Sequence, residues 1–590
     1  MNLKVWQNKY LIFILFILLS FVLYGNGING EFVLDDPSIV QNPLVRDGEI
    51  GKIFVTPYYY ARPQSGLYRP LTLTTFTINE HFSTKPLGFH LINIVLHGLV
   101  SFLIFILVVS LKNRTTAFIS ALLFMFMPIH VENVTSIVGR SEILALLFCL
   151  CALLAVLKNK YWQSTIFFGL AIFSKEVSIA FLPIWAYIEL TYRKEGVVRI
   201  LKKSLFFVPT IATYAFLRYI ALGHDYFINA GGPSYFNPIR NIEFIPGTLT
   251  ALKVLFLYVQ KIVFPTYFSS DYSYNQIPVV YNLAGSWQAW LGILFVLALI
   301  YFSFRFKHSL IGLGAVIFLS SYFVISNLVF KIGTIMAERL VYSASFGFAL
   351  MAGEVISNAS KPLKTRKIIL FGFILLMAVY GFKIIKGNRI WQNEDALFEN
   401  AYQHAPASTV NVTNKASLLS RLNQQQEALE KIKEALAIEP KNGPALQLKG
   451  QIQISIGKPA EAEQSWKDAI DVQPDYLYSY ISLGFFYYKD GNFVKSISIL
   501  KNAPVKQPLP SIEAILALDK IGLGKNKEVI SSIEESFGKI PKEEELQFIL
   551  GIAYLKDGNE SYAWKLLSSF KNSSTTKEDY LNNIRKTKTF

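Results

Sequence analysis

Cysteine is nearly absent from this chain of 590 residues: the two present, Cys149 and Cys151, share one apolar segment. No disulfide framework therefore braces any exposed region. A dense metal-ligand motif is missing too, and no metal site is assigned. His90, His97, His130 and the pair Asp35–Asp36 supply enough nitrogen and oxygen to leave a divalent metal open as a cofactor. Charged residues are sparse, 17% against 52% hydrophobic and 15% aromatic, but the average describes neither half of the chain. From Trp391 onward there is no long apolar run, which sets a boundary near residue 388. The reading that follows is two all-α domains, a polytopic membrane domain over 1–388 and a repeat domain over 389–590.

Within the first domain, apolar runs occupy 11–24, 88–111, 115–127, 143–157, 161–173, 177–192, 204–222, 248–264, 288–304, 309–330, 340–356 and 368–385. At 1.5 Å per residue against a hydrocarbon layer of about 30 Å, they read as roughly ten to twelve spans. The first lacks a good small-residue cleavage site, since Tyr24-Gly25-Asn26-Gly27 follows it, and is expected to stay as an anchor. Basic clusters fall in short loops: Lys4 and Lys9, Lys112 with Arg114, Lys158 with Lys160, Arg193 to Lys203, Arg305 with Lys307, and Lys361 to Lys367. These are expected to face the cytoplasm. The net charge of +16 thus argues for membrane orientation and against nucleic acid as a partner. The loop 25–86 and everything after the last span then lie outside the cytoplasm, while the parity of 223–286 stays open.

The tail repeats itself. Pro406, Pro440, Pro474 and Pro508 are 34 residues apart, Ala435 recurs at Ala469 and Ala503, Gly450 at Gly484, and Gly457 at Gly491. A period of 34 is that of the tetratricopeptide helix-turn-helix unit. Small residues let the two helices approach, aromatics fill the gap to the next pair, and proline ends the second helix. About five such repeats predict an α-solenoid whose groove binds peptides or protein surfaces.

Polar strings interrupt the apolar half. Asp35 and Asp36 follow the first run within about a dozen residues, and ionised groups at a membrane surface usually serve chemistry or binding. The plainer reading is a helix start at Asp36-Pro37-Ser38. His90, Asn93 and His97 share one helical face by their i, i+3, i+7 spacing, and interhelical hydrogen bonding would explain them equally. Pro128-Ile129-His130-Val131-Glu132, Gly139-Arg140-Ser141-Glu142, Ser174-Lys175-Glu176 and Ala337-Glu338-Arg339 follow. Neighbouring opposite charges in Lys175-Glu176 and Glu338-Arg339 could neutralise across helices, or the cations could meet an anionic lipid headgroup.

These strings, with Phe32-Val33-Leu34-Asp35-Asp36, Tyr68-Arg69-Pro70-Leu71-Thr72 and Gly88-Phe89-His90-Leu91-Ile92-Asn93 ahead of them and the repeats behind, resemble the transmembrane and tetratricopeptide repeat-containing O-mannosyltransferases. The resemblance implies a C-type glycosyltransferase fold in which an acidic residue of the first outer loop serves the chemistry. It implies a polyprenyl-phosphate sugar, dolichyl phosphate mannose in eukaryotes, as donor and protein serine or threonine as acceptor. The lysine- and asparagine-rich composition points to a bacterial inner membrane rather than the endoplasmic reticulum, and hence to an undecaprenyl-type donor. One of Asp35 and Asp36 is expected to act as base. Arg69, His90, Asn93, His130, Glu132, Arg140, Lys175, Glu176, Glu338 and Arg339 are the candidate donor- and acceptor-binding residues. The alternative is a non-enzymatic membrane scaffold that displays repeats for protein–protein interaction.

Overall fold

The apolar runs and the repeats all become helices, and among the described residues there is no strand. The computed structural model describes residues 8–60, 65–228, 233–329, 331–505 and 508–568, so Lys4 lies outside it. The chain divides into two units, Met1–Lys415 and Ala416–Phe590.

In the first unit six helices are long and apolar enough to cross a membrane: Lys9–Gly27, Pro86–Leu111, Ile137–Leu157, Trp287–Arg305, Glu338–Ala359 and Leu363–Ile390. Two bent pairs, Arg114–Phe126 with Pro128–Thr135 and Val197–Ser204 with Val208–His224, raise the count to eight at most among the described residues. The chain is a multi-pass membrane protein, with fewer full-length spans than its apolar runs suggest. Helices Tyr161–Ser174 and Phe181–Thr191, of 14 and 11 residues, account for part of the difference. They reach only about 21 and 17 Å, because Lys175 is extended and Glu176–Ala180 forms a 3₁₀ turn between them.

Side chains start several helices: Asn113 Oδ1 accepts from the Thr116 amide at 3.0 Å, and Ser286 Oγ from that of Ala289 at 3.3 Å, each satisfying an orphan donor of the first turn. Between helices, small residues allow backbone approach in place of bulk. Helices Leu310–Ile325 and Tyr342–Ala359 meet through Gly314 and Gly347, where either added Cβ would strike the other glycine's carbonyl oxygen. The last apolar helix packs the same way at Gly387, where a Cβ would lie 3.0 Å from Val131 Cγ2.

The polar strings share one local geometry. Pro128–His130, Ile137–Gly139, Glu176–Ala180 and Glu338–Val341 are 3₁₀ turns that lead directly into helices. Each breaks an apolar segment where its charged residues meet the others.

In the second unit, paired helices follow the 34-residue period: Gln425–Ile438, Gly443–Ser455, Pro459–Val472, Leu477–Lys489, Phe493–Lys501, Pro510–Gly522, Asn526–Phe537, Glu544–Lys556 and Glu560–Ser568. Gly450 admits the Trp466 ring and Gly484 the Leu500 side chain, so that a Cβ at either would come within 2.7 Å of them. Gly457 and Gly491 make the intervening turns at φ of +77° and +73°, which L side chains rarely adopt. Ser496, which replaces the usual alanine, is buried and donates to the Gly484 carbonyl at 2.9 Å.

Candidate functional site

The two adjacent aspartates have different surroundings. Asp36 is fully buried, and its Oδ2 and Oδ1 accept the amides of Val33 at 3.2 Å and Val138 at 3.0 Å. It pins the first loop to the turn before Arg140. Burial pushes its carboxyl up to about 7, against the amides of Val138, Val33 and Ile137 that favour the charged form. Asp35 precedes the short helix Asp36–Val40 but its side chain makes no capping bond to it, so the helix-start reading does not account for its carboxylate. Asp35 is half-buried, and its charge acts on Arg339 and on the Tyr58 phenol.

Gly139 explains why Val138 can reach Asp36. A Cβ there would sit 2.8 Å from the Asn133 Cα, so only glycine lets the turn press against that backbone. The next residue, Arg140, is fully buried. Its Nε donates to Asn93 Oδ1 at 2.8 Å, Nη1 to the Thr75 carbonyl at 3.3 Å, and Nη2 to Asn79 Oδ1 at 2.9 Å and the Phe89 carbonyl at 3.0 Å. The guanidinium also lies 4.5 Å from the Phe76 ring centroid. Arg140 and Asn93, expected to meet a ligand, are enclosed and use their polar atoms on one another, on the Asn79 side chain and on backbone carbonyls.

Four further cations each have a carboxylate. Arg69 holds Glu176 through two bonds of 3.0 and 2.6 Å, with the Tyr58 ring 5.4 Å away. Burial works against the charge on Arg69 and Glu176 outweighs it, so its pKa lies above the ordinary value. Lys175 pairs with Glu142 in full burial. Arg339 pairs with Glu132, whose other oxygen accepts the Arg339 amide at 2.9 Å. Lys261 lies 3.3 Å from Glu338, which also accepts from the Tyr272 hydroxyl at 2.5 Å. Among the cations of the predicted site, Arg339 keeps the most side-chain surface, 33%, against 12% for Arg69 and 3% for Lys175.

Of the histidines, His90 borders this frame while His97 and His130 pack around Tyr342. His90 Nε2 donates to the Gly30 carbonyl at 3.2 Å at the base of the first loop. His97 accepts from Tyr342 and donates to the Met125 carbonyl, and His130 Nε2 donates to Ser345, whose own hydroxyl donates to the Tyr342 carbonyl. Among the described residues no three His, Cys, Asp or Glu side chains gather in a way that could hold a metal ion.

Sequence reasoning gave no role to Glu142, Lys261, Tyr58 or Tyr272. Glu142 could have been found as the one acidic residue of the apolar helix Arg140–Leu157. Lys261 at the end of an apolar helix, and tyrosines in loops, carry no comparable signal. The assembled site is a layer of compensated cations with the half-exposed carboxylate of Asp35 beside it. Such an arrangement can accept a proton at Asp35 and present guanidinium charge to an anion beside it.

No family model matches the chain. It is 25% identical over 445 residues to the Caenorhabditis elegans protein O-mannosyl-transferase F38B6.6, covering 72% of this chain and 62% of that protein. It is 26% identical to human protein O-mannosyl-transferase TMTC1, covering 72% and 55%, and 24% identical to human TMTC3, covering 77% and 54%. The chain thus spans 62% or less of the length of these relatives. Among solved structures, ArnT from Cupriavidus metallidurans bound to undecaprenyl phosphate gives a TM-score of 0.38 at 14% identity, covering 88% of this chain and 90% of that one. A tetratricopeptide repeat protein from Parabacteroides merdae gives 0.28 at 18%, covering 34% and 81%. In sequence, the chain is similar to protein O-mannosyl-transferases of nematode and human, the family that its ordered polar strings and 34-residue repeats resemble.

Proposed function

We propose that the chain is a membrane O-glycosyltransferase that moves a sugar, mannose by resemblance, from a polyprenyl-phosphate donor to protein serine or threonine hydroxyls outside the cytoplasm. The observation that carries this reading is the unequal setting of the Asp pair. Asp36 is committed to two backbone amides, and Asp35 is left half-exposed within electrostatic reach of Arg339. Asp35 takes the proton of the acceptor hydroxyl as its oxygen attacks the anomeric carbon. The bond to the donor's phosphate oxygen breaks with its electron pair, and Arg339 and Arg69 meet the charge that develops on the leaving phosphate. A single displacement inverts the anomeric centre. Arg140, Asn93 and Asp36 hold the first loop against the helix ends, and the Lys175–Glu142, Glu132 and Glu338 pairs fix the cations in place.

The repeats recruit acceptor proteins in this reading, which rests on the period and on what such solenoids do. Composition favours a bacterial inner membrane and an undecaprenyl-type donor. The test is transfer from radiolabelled polyprenyl-phosphate mannose, in membranes carrying the full chain, to protein and to short serine- or threonine-containing peptides. Label is expected in both acceptors and strongly reduced in both with Asp35→Asn. Absence of transfer from any polyprenyl-phosphate sugar by well-inserted wild-type protein would favour the scaffold reading.

A further inference from the structure

A cleft of about 470 Å³ opens in the first unit between the loop around Tyr267, the last apolar helix Leu363–Ile390 and the helix Glu394–His404. Its walls are mostly apolar, yet Lys383, Lys386 and His404 line it. His404 stacks on Tyr267 with centroids 5.3 Å apart, and burial first, then the charges of Lys261 and Lys386, hold its pKa below the ordinary value. In the Asp35 layer Arg69, Lys175, Arg339 and Lys261 each have a carboxylate partner, and Arg140 uses its donors on amide and backbone oxygens. Neither Lys383 nor Lys386 enters an ion pair with a described residue. The Asn400 amide oxygen on the same wall is buried and without a hydrogen-bond partner, a state that in folded proteins points to a missing polar group.

Below the cleft the last apolar helix is largely uncovered, Leu370 and Ile374 included. Ile368, Phe371, Leu375, Val379 and Phe382 are exposed, and their steps of three and four residues place them in one stripe that continues to Lys386. From Ile368 to Phe382 the stripe measures about 21 Å, longer than the roughly 15 Å of one hydrocarbon leaflet. An apolar stripe that ends on two uncompensated cations and an orphaned amide is complementary to a chain with an anionic head. Lysines that merely snorkel to water would need neither the cleft nor the unpartnered amide.

We propose that this cleft is a binding site for an anionic phospholipid, its phosphate held by Lys383 and Lys386, its headgroup hydroxyl donating to Asn400, and an acyl chain lying along the stripe from Phe382 to Ile368. The inference goes beyond the transfer reaction and does not depend on it.

The full chain, purified in mild detergent and exchanged into nanodiscs of phosphatidylglycerol or phosphatidylcholine, is extracted gently, and its retained lipid is measured by native mass spectrometry. Wild type is expected to retain phosphatidylglycerol and not phosphatidylcholine. Lys383→Gln with Lys386→Gln should weaken retention by about thirtyfold, the loss of two lysine contacts to an anionic lipid, while Lys383→Arg with Lys386→Arg keeps it. The arginine pair guards against misfolding of the glutamine pair. Equal retention of the two lipids, or unchanged phosphatidylglycerol retention in the glutamine pair, would overturn the proposal. So would displacement of phosphatidylglycerol by stoichiometric polyprenyl phosphate, which would make the cleft a port for the donor instead.

Discussion

Exchange of Asp35 for asparagine is expected to lower turnover by roughly 10²- to 10⁴-fold, the range for losing a general base, while membrane level and donor affinity stay near wild type. Asp36→Asn is expected to behave differently, because an amide nitrogen replaces one of two oxygens that accept buried backbone N–H groups. Leaving one of those donors unmet costs about 1–3 kcal/mol, so thermal unfolding should shift before activity per folded molecule does. Wild-type rates for Asp35→Asn at normal abundance would remove it from the chemistry. The pH dependence of Asp36 has a defined sign. Its folded pKa of about 7 lies above its ordinary 3.8, so folding takes up a proton. The stabilisation is complete below pH about 4 and is lost as pH rises through about 7, amounting to at most on the order of 4 kcal/mol. The stability gap between wild type and Asp36→Asn, followed by thermal unfolding across that range, should therefore widen as pH falls.

At the level of the elements, the 3₁₀ turns do the positioning, and Gly139 is the one most exposed to test. Gly139→Ala places a methyl against the Asn133 backbone, where nothing flexible can yield. The turn must move, taking the Val138 amide from Asp36 and Arg140 from its cage. Overpacking of this kind costs about 1–3 kcal/mol, and both unfolding temperature and transfer rate should fall. Gly372→Ala, on the last apolar helix with open space around it, should change stability by less than about 1 kcal/mol. Similar effects of the two substitutions would mean the close approach at Gly139 is not what holds the loop. The apolar runs forecast where helices form but not which are full spans. Run length could not show that Lys175 and Glu176 end one short helix and begin another, since each charge is tolerated there only by a partner distant in sequence: Glu142 for Lys175 and Arg69 for Glu176.

For the whole molecule, truncation separates the two activities the proposal assigns. A cut near residue 390 would remove Ser408, whose hydroxyl donates to Asp271 at 2.6 Å, and Thr409, whose amide donates to the Tyr274 carbonyl at 2.7 Å, both within the first unit. A cut after Asn423 keeps those bonds. Protein ending there should insert normally and transfer sugar to a short peptide supplied in excess, while glycosylation of a protein acceptor drops several-fold through lost local concentration. Equal loss of both would make the repeats part of the catalytic unit. Topology is tested by single cysteines in a chain lacking Cys149 and Cys151. Glu49 and Gln451 are exposed, whereas Val45 and Gly450 are buried, so the exposed pair are the sites to label. A membrane-impermeant reagent should reach both in intact cells.

Periodicity and hydropathy are local properties, and they determined what local physics can: an all-α chain, a membrane part followed by a shorter repeat part of period 34, and where polar strings interrupt the apolar runs. Hydropathy could not say that Arg69 meets Glu176, that Glu132 meets Arg339, or that Lys261 meets Glu338, because a charge in an apolar setting needs a partner without specifying which one. Nor could two adjacent aspartates reveal which is buried. That was decided by the contact of the first loop with the Gly139 turn, which supplies a backbone amide to Asp36 from a hundred residues away and leaves Asp35 half-exposed. The cleft beside Tyr267 likewise exists only in the assembled first unit, where the loop around Tyr267 meets two consecutive helices from far later in the chain that carry Lys383, Lys386 and His404.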